Sequence, residues 1–234
     1  MSSKSKRMRG LLDTPEYREY KKEAIKTQKR REKTYKFTSI ANSTNTVRNL
    51  IVLNVVIFIA SLLYSAIIQN YALYPTSNPN FQPYQVLTSM FLHGGFLHLA
   101  FNMFMLWSFG NQLERVIGQR KFLIVYFLSG LVSSIFWMYL GTGPAVGASG
   151  ALSGLFAAFI FIAPEAKVML MFIIPMKLKY AFYGFAAFSL VFGLASLVNP
   201  SLGFGIGHFA HLGGLIGGYI LTYWWKQNKK IYTQ

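Results

Sequence analysis

Apolar residues along this chain gather into six long runs, near residues 49–69, 93–113, 121–140, 148–164, 180–198 and 205–225, with polar or basic stretches between them. A bilayer core is crossed by a helix of about 20 apolar residues. Six runs of that order, nearly free of charge, predict an all-α membrane protein folded as a six-helix bundle. The fourth run is the shortest. An even number of crossings puts both termini on one side of the membrane.

Charge tests that count independently. If the N-terminus is cytoplasmic, the inside segments are 1–48, 114–121, 165–179 and 226–234, and they contain all 23 Lys and Arg residues. The outside segments, 70–92, 141–147 and 199–204, contain none. Basic residues gather on the cytoplasmic side of membrane proteins, so six spans with both termini inside fit, and one missed helix would spoil the separation. Three parts follow: a basic cytoplasmic arm over 1–48, a membrane domain over 49–225 and a basic tail over 226–234. The arm carries Asp13, Glu16, Glu19, Glu23 and Glu32 among its basic residues and remains strongly positive, which favours anionic membrane lipid as a partner. Lys29-Arg30-Arg31 belongs to no nucleic-acid-binding motif, and no nucleic-acid partner is expected. The first apolar run starts only near Val47 and is too long for the core of a secretory signal, so none is expected. The chain has no cysteine, which removes disulfides and thiolate metal sites. Metal binding by the four histidines stays formally open, but no acidic residue accompanies them in an apolar run.

Polar and ionisable side chains at membrane depth are costly, and those present are candidates for chemistry. Parity of the spans makes the second, fourth and sixth helices run from outside to inside. His98 and Asn102 then lie in the outer half of the second helix, Ser149 starts the fourth, and His211 lies about two turns into the sixth. Residues more than a hundred positions apart converge on one depth below the outer surface. A serine hydroxyl becomes a nucleophile when a neighbouring base takes its proton, and neutral histidine is the usual base. The backbone N–H groups at the start of the fourth helix are suited to an oxyanion. Gly147, Gly150 and Gly154 on one helix, with Gly213, Gly214, Gly217 and Gly218 on the other, have the small-residue spacing that lets two helices approach closely. His98 and Asn102, at i and i+4, share a helix face. They read either as oxyanion donors or as interhelical hydrogen bonds. His208 is the rival base, one turn outward of His211, while His93 reads as an anchor for the preceding loop and Ser153 as a serine bonded back into its own helix.

The stretch from His93 through His98 to Asn102, then Gly147-Ala-Ser149-Gly150, then Ala210-His211-Leu-Gly-Gly214, resembles the rhomboid family of intramembrane serine proteases in order and spacing. Gly110-xxx-Glu114-xxx-Gly118 is also similar to that family. The resemblance covers about residues 48–225. It implies a rhomboid-type six-helix fold, with Ser149 as nucleophile, His211 as general base, and an oxyanion hole from His98, Asn102 and the Ser149 backbone N–H. It also implies hydrolysis of a peptide bond in or near a transmembrane segment of membrane-protein substrates, through an acyl-enzyme, with no cofactor. Two places depart from the family pattern. Tyr84-Gln85 stands where Trp-Arg is frequent, which bears on how the first loop is anchored. Ser153 stands where an aromatic residue often packs on the histidine ring, which bears on the orientation of His211.

Tyr71, Tyr74, Phe81 and Tyr84 in the uncharged first loop suit the membrane interface. Phe182, Tyr183, Phe185, Phe188 and Phe192 on the fifth span read either as lipid-facing packing or, by the resemblance, as part of a gate beside the second span, with 199–203 as a cap. Two other functions compete: a catalytically silent binder of membrane helices and a small transporter. Silent relatives typically lack the serine or the histidine, and both are present. A transporter calls for polar groups through the inner half, whereas Phe156 to Ile162 and Leu215 to Tyr223 are apolar apart from Thr222. Six spans without an added helix suggest a bacterial plasma membrane, with the site open to the outer side.

Overall fold

The structure, a computed structural model, describes residues 14, 15, 17, 19, 21–23, 25, 26, 45–170 and 174–228. Lys29-Arg30-Arg31 and the last residues of the tail, 229–234, lie outside them. The chain divides into two units, Met1–Ser43 and Thr44–Gln234. In the first, the described positions from 15 to 26 are helical, and the Tyr17 N–H donates to Thr14 Oγ1 at 3.3 Å.

The second unit begins with α1 (Asn45–Leu63), which buries Val47, Leu50, Asn54, Phe58 and Ser61 as one helical stripe. Val52, Val56, Ile59 and Leu63 on the opposite side are exposed. The run expected at 49–69 is therefore interrupted: α1 stops at Leu63, and a separate short helix, α2 (Ala66–Tyr71), follows. After the first loop come α3 (Gln85–Thr88), a 3-10 turn (Ser89–Phe91), α4 (Phe96–Met105), a π-helical turn (Leu106–Gly110) and α5 (Asn111–Ile117). The pieces before and after Gly94-Gly95 meet at 91°. The helix expected from residue 93 thus starts at Phe96, past the two glycines. It ends at Gly118, whose φ of +79° glycine adopts without strain.

Next come α6 (Gln119–Leu140), α7 (Ser149–Ile162), an antiparallel hairpin of β1 (Lys167–Leu170) and β2 (Ile174–Lys177), then α8 (Leu178–Val198), a 3-10 turn (Pro200–Gly203) and α9 (His208–Gln227). Both α7 and α8 stop at the residue preceding a proline, Ala163 and Asn199, where the proline ring disfavours helical backbone. The hairpin falls where the sequence predicts only a connecting loop, because its strands are apolar on successive positions and show no period of two.

Three helices, α1, α6 and α8, are long and apolar enough to cross a membrane, and the bent segment from Gln85 to Ile117 makes a fourth if it counts as one span. The 14 residues of α7 reach about 21 Å at 1.5 Å per residue, short of the roughly 30 Å hydrocarbon core. The exposed apolar faces of α1 and α8 would aggregate in water and suit lipid contact. The molecule is a mainly helical integral membrane protein.

A compact trio, α6, α7 and α9, forms the centre. A Cβ added to Gly214 would fall on the Gly150 carbonyl, and one on Gly218 would fall on the Gly154 carbonyl, so α7 and α9 touch backbone to backbone. On the other side of α7, Gly150 and Gly154 lie against Ser133 and Ser129 of α6 with no room for a methyl group.

Candidate active site

The closeness of α7 and α9 decides where two side chains meet. Ser149 is the first residue of α7, and His211 lies in the first turn of α9, one residue before the Leu212-Gly213-Gly214 stretch. Gly214 against Gly150 brings the two helix starts together, and the His211 Nε2 lies 2.9 Å from the Ser149 Oγ. For Nε2 to accept the serine proton, the ring proton must sit on Nδ1. That atom is buried and has no hydrogen-bond partner among the described residues. No carboxylate among the described residues orients the ring. Instead, Phe185 of α8 lies over it, with ring centroids 5.5 Å apart and planes inclined at 34°.

His208 does not partner the serine; it is bonded elsewhere. Its Nε2 is 3.1 Å from the Gly203 carbonyl, tying α9 to the turn that precedes it, and its ring packs against Phe188 and Phe192. A cavity of about 180 Å³ lies beside it, lined by Trp137, Thr142, Ser196, Pro200 and Phe209 among others; neither Ser149 nor His211 reaches it.

His98 and Asn102 come from α4. At Gly147, φ is +128°, and an added Cβ would meet His98 Cε1 and Nε2 at 2.8 Å and Ser149 Oγ at 3.8 Å. The His98 ring therefore lies against the Gly147 backbone on the side of the serine. Asn102 is buried one turn further along, and its amide donates to the His98 carbonyl at 2.8 Å, which leaves the second N–H of that amide for another acceptor. His93 is buried and meets His98 edge-on, ring centroids 5.2 Å apart. Ser153 donates to the Ser149 carbonyl at 2.8 Å and contributes no ring to the histidine, as its side chain predicts.

The segment carrying the serine is held from outside its own helix. The Gly147 N–H donates to the Ser89 carbonyl at 2.9 Å, and Ala145 and Leu73 exchange both backbone hydrogen bonds. The first loop is organised by Gln85, a buried residue. Its Oε1 accepts from the Gln82 and Tyr74 N–H groups at 3.0 and 3.4 Å, and its Nε2 donates to the Asn70 and Asn80 carbonyls, each at 3.0 Å. Gln85 thus does by two-way hydrogen bonding what a cationic side chain, which only donates, would do by carbonyls alone.

The sequence profile of the Rhomboid domain matches residues 80–228, which hold every one of these side chains. The chain belongs to the rhomboid family. Among rhomboid relatives, it is 34% identical over 151 residues to the putative rhomboid protease YdcA of Bacillus subtilis, covering 63% of this chain and 69% of that one. It is 32% identical over 139 residues to rhomboid protease GluP of the same organism, covering 58% of this chain and 25% of that protein. Human presenilin-associated rhomboid-like protein, mitochondrial, is 30% identical over 200 residues, covering 80% of this chain and 50% of that one. The matched region thus spans a quarter to a half of the length of the latter two relatives. Two of the relatives are bacterial and one is mitochondrial, so the family alone does not assign a compartment.

Proposed function

We propose that the protein is a serine-type intramembrane endopeptidase acting on transmembrane segments of membrane-protein substrates. The observation that carries this reading is the 2.9 Å approach of His211 Nε2 to Ser149 Oγ between apolar helices. In this mechanism the Ser149 Oγ–H gives its proton to Nε2 as the oxygen attacks the scissile carbonyl. The oxyanion that forms is met by the Ser149 backbone N–H at the start of α7, by His98 and by the remaining N–H of Asn102. The histidine returns the proton to the departing amine, leaving an acyl-enzyme on Ser149. Water, activated by the same histidine, then hydrolyses the ester. No metal or organic cofactor enters. Gly147 and Gly150 keep the space that these contacts need, Gly214 sets the helix distance, and His93 backs the His98 ring.

The membrane frame of this reading is six spans, with both termini and all the basic loops in the cytoplasm. A helix as short as α7 starts below the outer surface if its inner end reaches the inner one, which puts Ser149 within the bilayer and water on the outer side. The plasma membrane of a bacterium is the proposed location. The arm over 1–48 and the tail over 226–234 then lie against anionic lipid, and no nucleic acid is involved.

The experiment is labelling of the detergent-solubilised, monodisperse protein by a fluorophosphonate probe. Labelling should need both Ser149 and His211, disappearing in Ser149→Ala and in His211→Ala. Asn102→Ala should slow it by about 10²–10³-fold, the usual cost of one oxyanion donor. A folded wild type that takes no label would overturn the reading in favour of a silent binder, and label surviving Ser149→Ala would move the nucleophile elsewhere.

A further inference from the structure

We propose that Phe185 is the positioning residue for the catalytic base, so that the seating of α8 controls whether His211 is armed. The proposal rests on the dyad reading above and adds a residue to it.

A single hydrogen bond to Ser149 Oγ leaves the imidazole free to swing about that bond. In a triad, a carboxylate on the far nitrogen removes this freedom. Here Nδ1 has no acceptor among the described residues. The position four residues after the serine could present a ring from α7, but it is Ser153, and its hydroxyl is turned back to the Ser149 carbonyl. What remains is packing. Two rings flank His211: His208, edge-on at 6.4 Å, and Phe185, inclined at 34° with centroids 5.5 Å apart. Among the described residues, Phe185 is the nearer ring and the one inclined toward the imidazole plane. An aromatic neighbour at that separation restricts ring rotation by contact alone.

Phe185 is itself held. Phe156 of α7 lies 6.2 Å from it at a steep angle, and Phe156 is in turn packed by Phe109 at 5.7 Å. A line of rings thus runs from the π-helical turn through α7 to α8 and ends on the base. The α8 link is the weakest in that line, because only Leu178, Ser189 and Gly193 are buried over its 21 residues. A displacement of α8 that leaves the Ser149–His211 helices untouched would still take the cover off the imidazole. The seating of α8 and the orientation of the base are thereby one event.

The test follows fluorophosphonate labelling over probe concentration, separating the limiting rate from the half-saturating concentration, in wild type, Phe185→Leu, Phe185→Tyr and Phe182→Leu. Phe182 packs on the same Phe156 ring, at 5.9 Å, without reaching the histidine, and serves as the control. Expected for Phe185→Leu is a limiting rate lowered about ten- to a hundredfold, the scale for a reacting group slightly out of place, at unchanged half-saturation. Phe185→Tyr should restore most of the rate, and Phe182→Leu should stay near wild type. Phe185→Met repeats the test should the leucine variant not fold. A wild-type limiting rate in Phe185→Leu or Phe185→Met overturns the proposal, as does an equal loss in Phe182→Leu. If wild type itself shows no Ser149-dependent labelling, it is the dyad reading that fails; Ser149-dependent labelling that ignores Phe185 removes the positioning role alone.

Discussion

Two parts of the membrane domain treat their helices in opposite ways. In the α6–α7–α9 trio, glycines face carbonyls and serines with no space for a side chain, and the helices are fixed by close backbone contact. Along α8 the glycine at 184 meets nothing within 4 Å, and tyrosines, leucines and valines point outward. The first region holds the Ser149 and His211 side chains at hydrogen-bond distance. The second carries the Phe185 ring that lies against His211. Under the proposed function, a site that cuts a helix arriving from the lipid needs both: a rigid frame for proton transfer and a wall that can yield.

The sharpest way to break this contrast is to add one methyl group to each region. At Gly214 the new Cβ collides with the Gly150 carbonyl, and helix separation is the only relief. Gly214→Ala should destabilise the protein by about 1–3 kcal/mol or more, the range for overpacking, and abolish labelling of Ser149. Gly184→Ala should do the reverse on stability, gaining up to about 1 kcal/mol from helix propensity. Thermal unfolding in detergent measures both, and equal effects would dissolve the distinction between a fixed trio and a loose α8.

Gln85 comes next. Its side chain serves two N–H groups and two carbonyls of the first loop, and removing it leaves all four to find other partners. A buried group left unpaired costs about 1–3 kcal/mol. Gln85→Ala should therefore lower the unfolding midpoint clearly. It should also slow labelling, because the same loop bonds the Ala145 and Gly147 backbone just before the serine. A wild-type midpoint in this variant would mean that the loop is held from elsewhere.

How much of this was readable from the chain follows the same divide. The meeting of Ser149 and His211 was legible because each sits in a glycine-framed, charge-free run, where a polar side chain stands out and small-residue spacing signals contact between backbones. Ser153 was legible too, since a lone helical serine has a nearby carbonyl to satisfy it. Gln85 and Phe185 were not. One drew notice only as a departure from the family pattern. The other was one of five aromatics along the fifth span, any of which could face lipid. Their roles depend on partners 3 to 29 residues away that no periodicity identifies. The break at Tyr64-Ser65 and the hairpin were hidden for another reason: apolar runs read alike whether they continue as helix, bend or pair as strands.

Gly193 tests the seating of α8 more gently. A side chain there would press on Phe209 at 3.3 Å and on His208 at 3.4 Å, the contact that brings the C-terminal end of α8 to α9. Gly193→Leu should push that end outward, reducing the labelling rate several-fold while the unfolding midpoint stays near that of wild type. A midpoint that falls in step with the rate would show that α8 is part of the rigid frame after all.

The smallest effect belongs to the N-terminal end of α8. Glu165, in the turn after α7, pairs with Lys177 at 2.7 Å and with Lys179, and hydrogen bonds from these lysines hold its carboxyl down to about 2 from an ordinary 4.5. A carboxylate whose value is depressed by folding stabilises the fold above the unfolded value and loses that contribution as the pH falls through the folded one. The window is therefore from about pH 4.5 down to about 2. All three side chains are open to solvent, where ion pairs are screened, so the stabilisation is small. Glu165→Gln should leave labelling at neutral pH almost unchanged and flatten the fall in unfolding midpoint within that acid window. Here the backbone already does most of the fixing: the Leu178 N–H donates to the Ala166 carbonyl at 2.7 Å, and Leu178 itself is fully buried. If Glu165→Gln instead slowed labelling as much as Gly193→Leu, the pivot of α8 would lie at the ion pair, and movement of its C-terminal end would no longer account for the proposed control of His211.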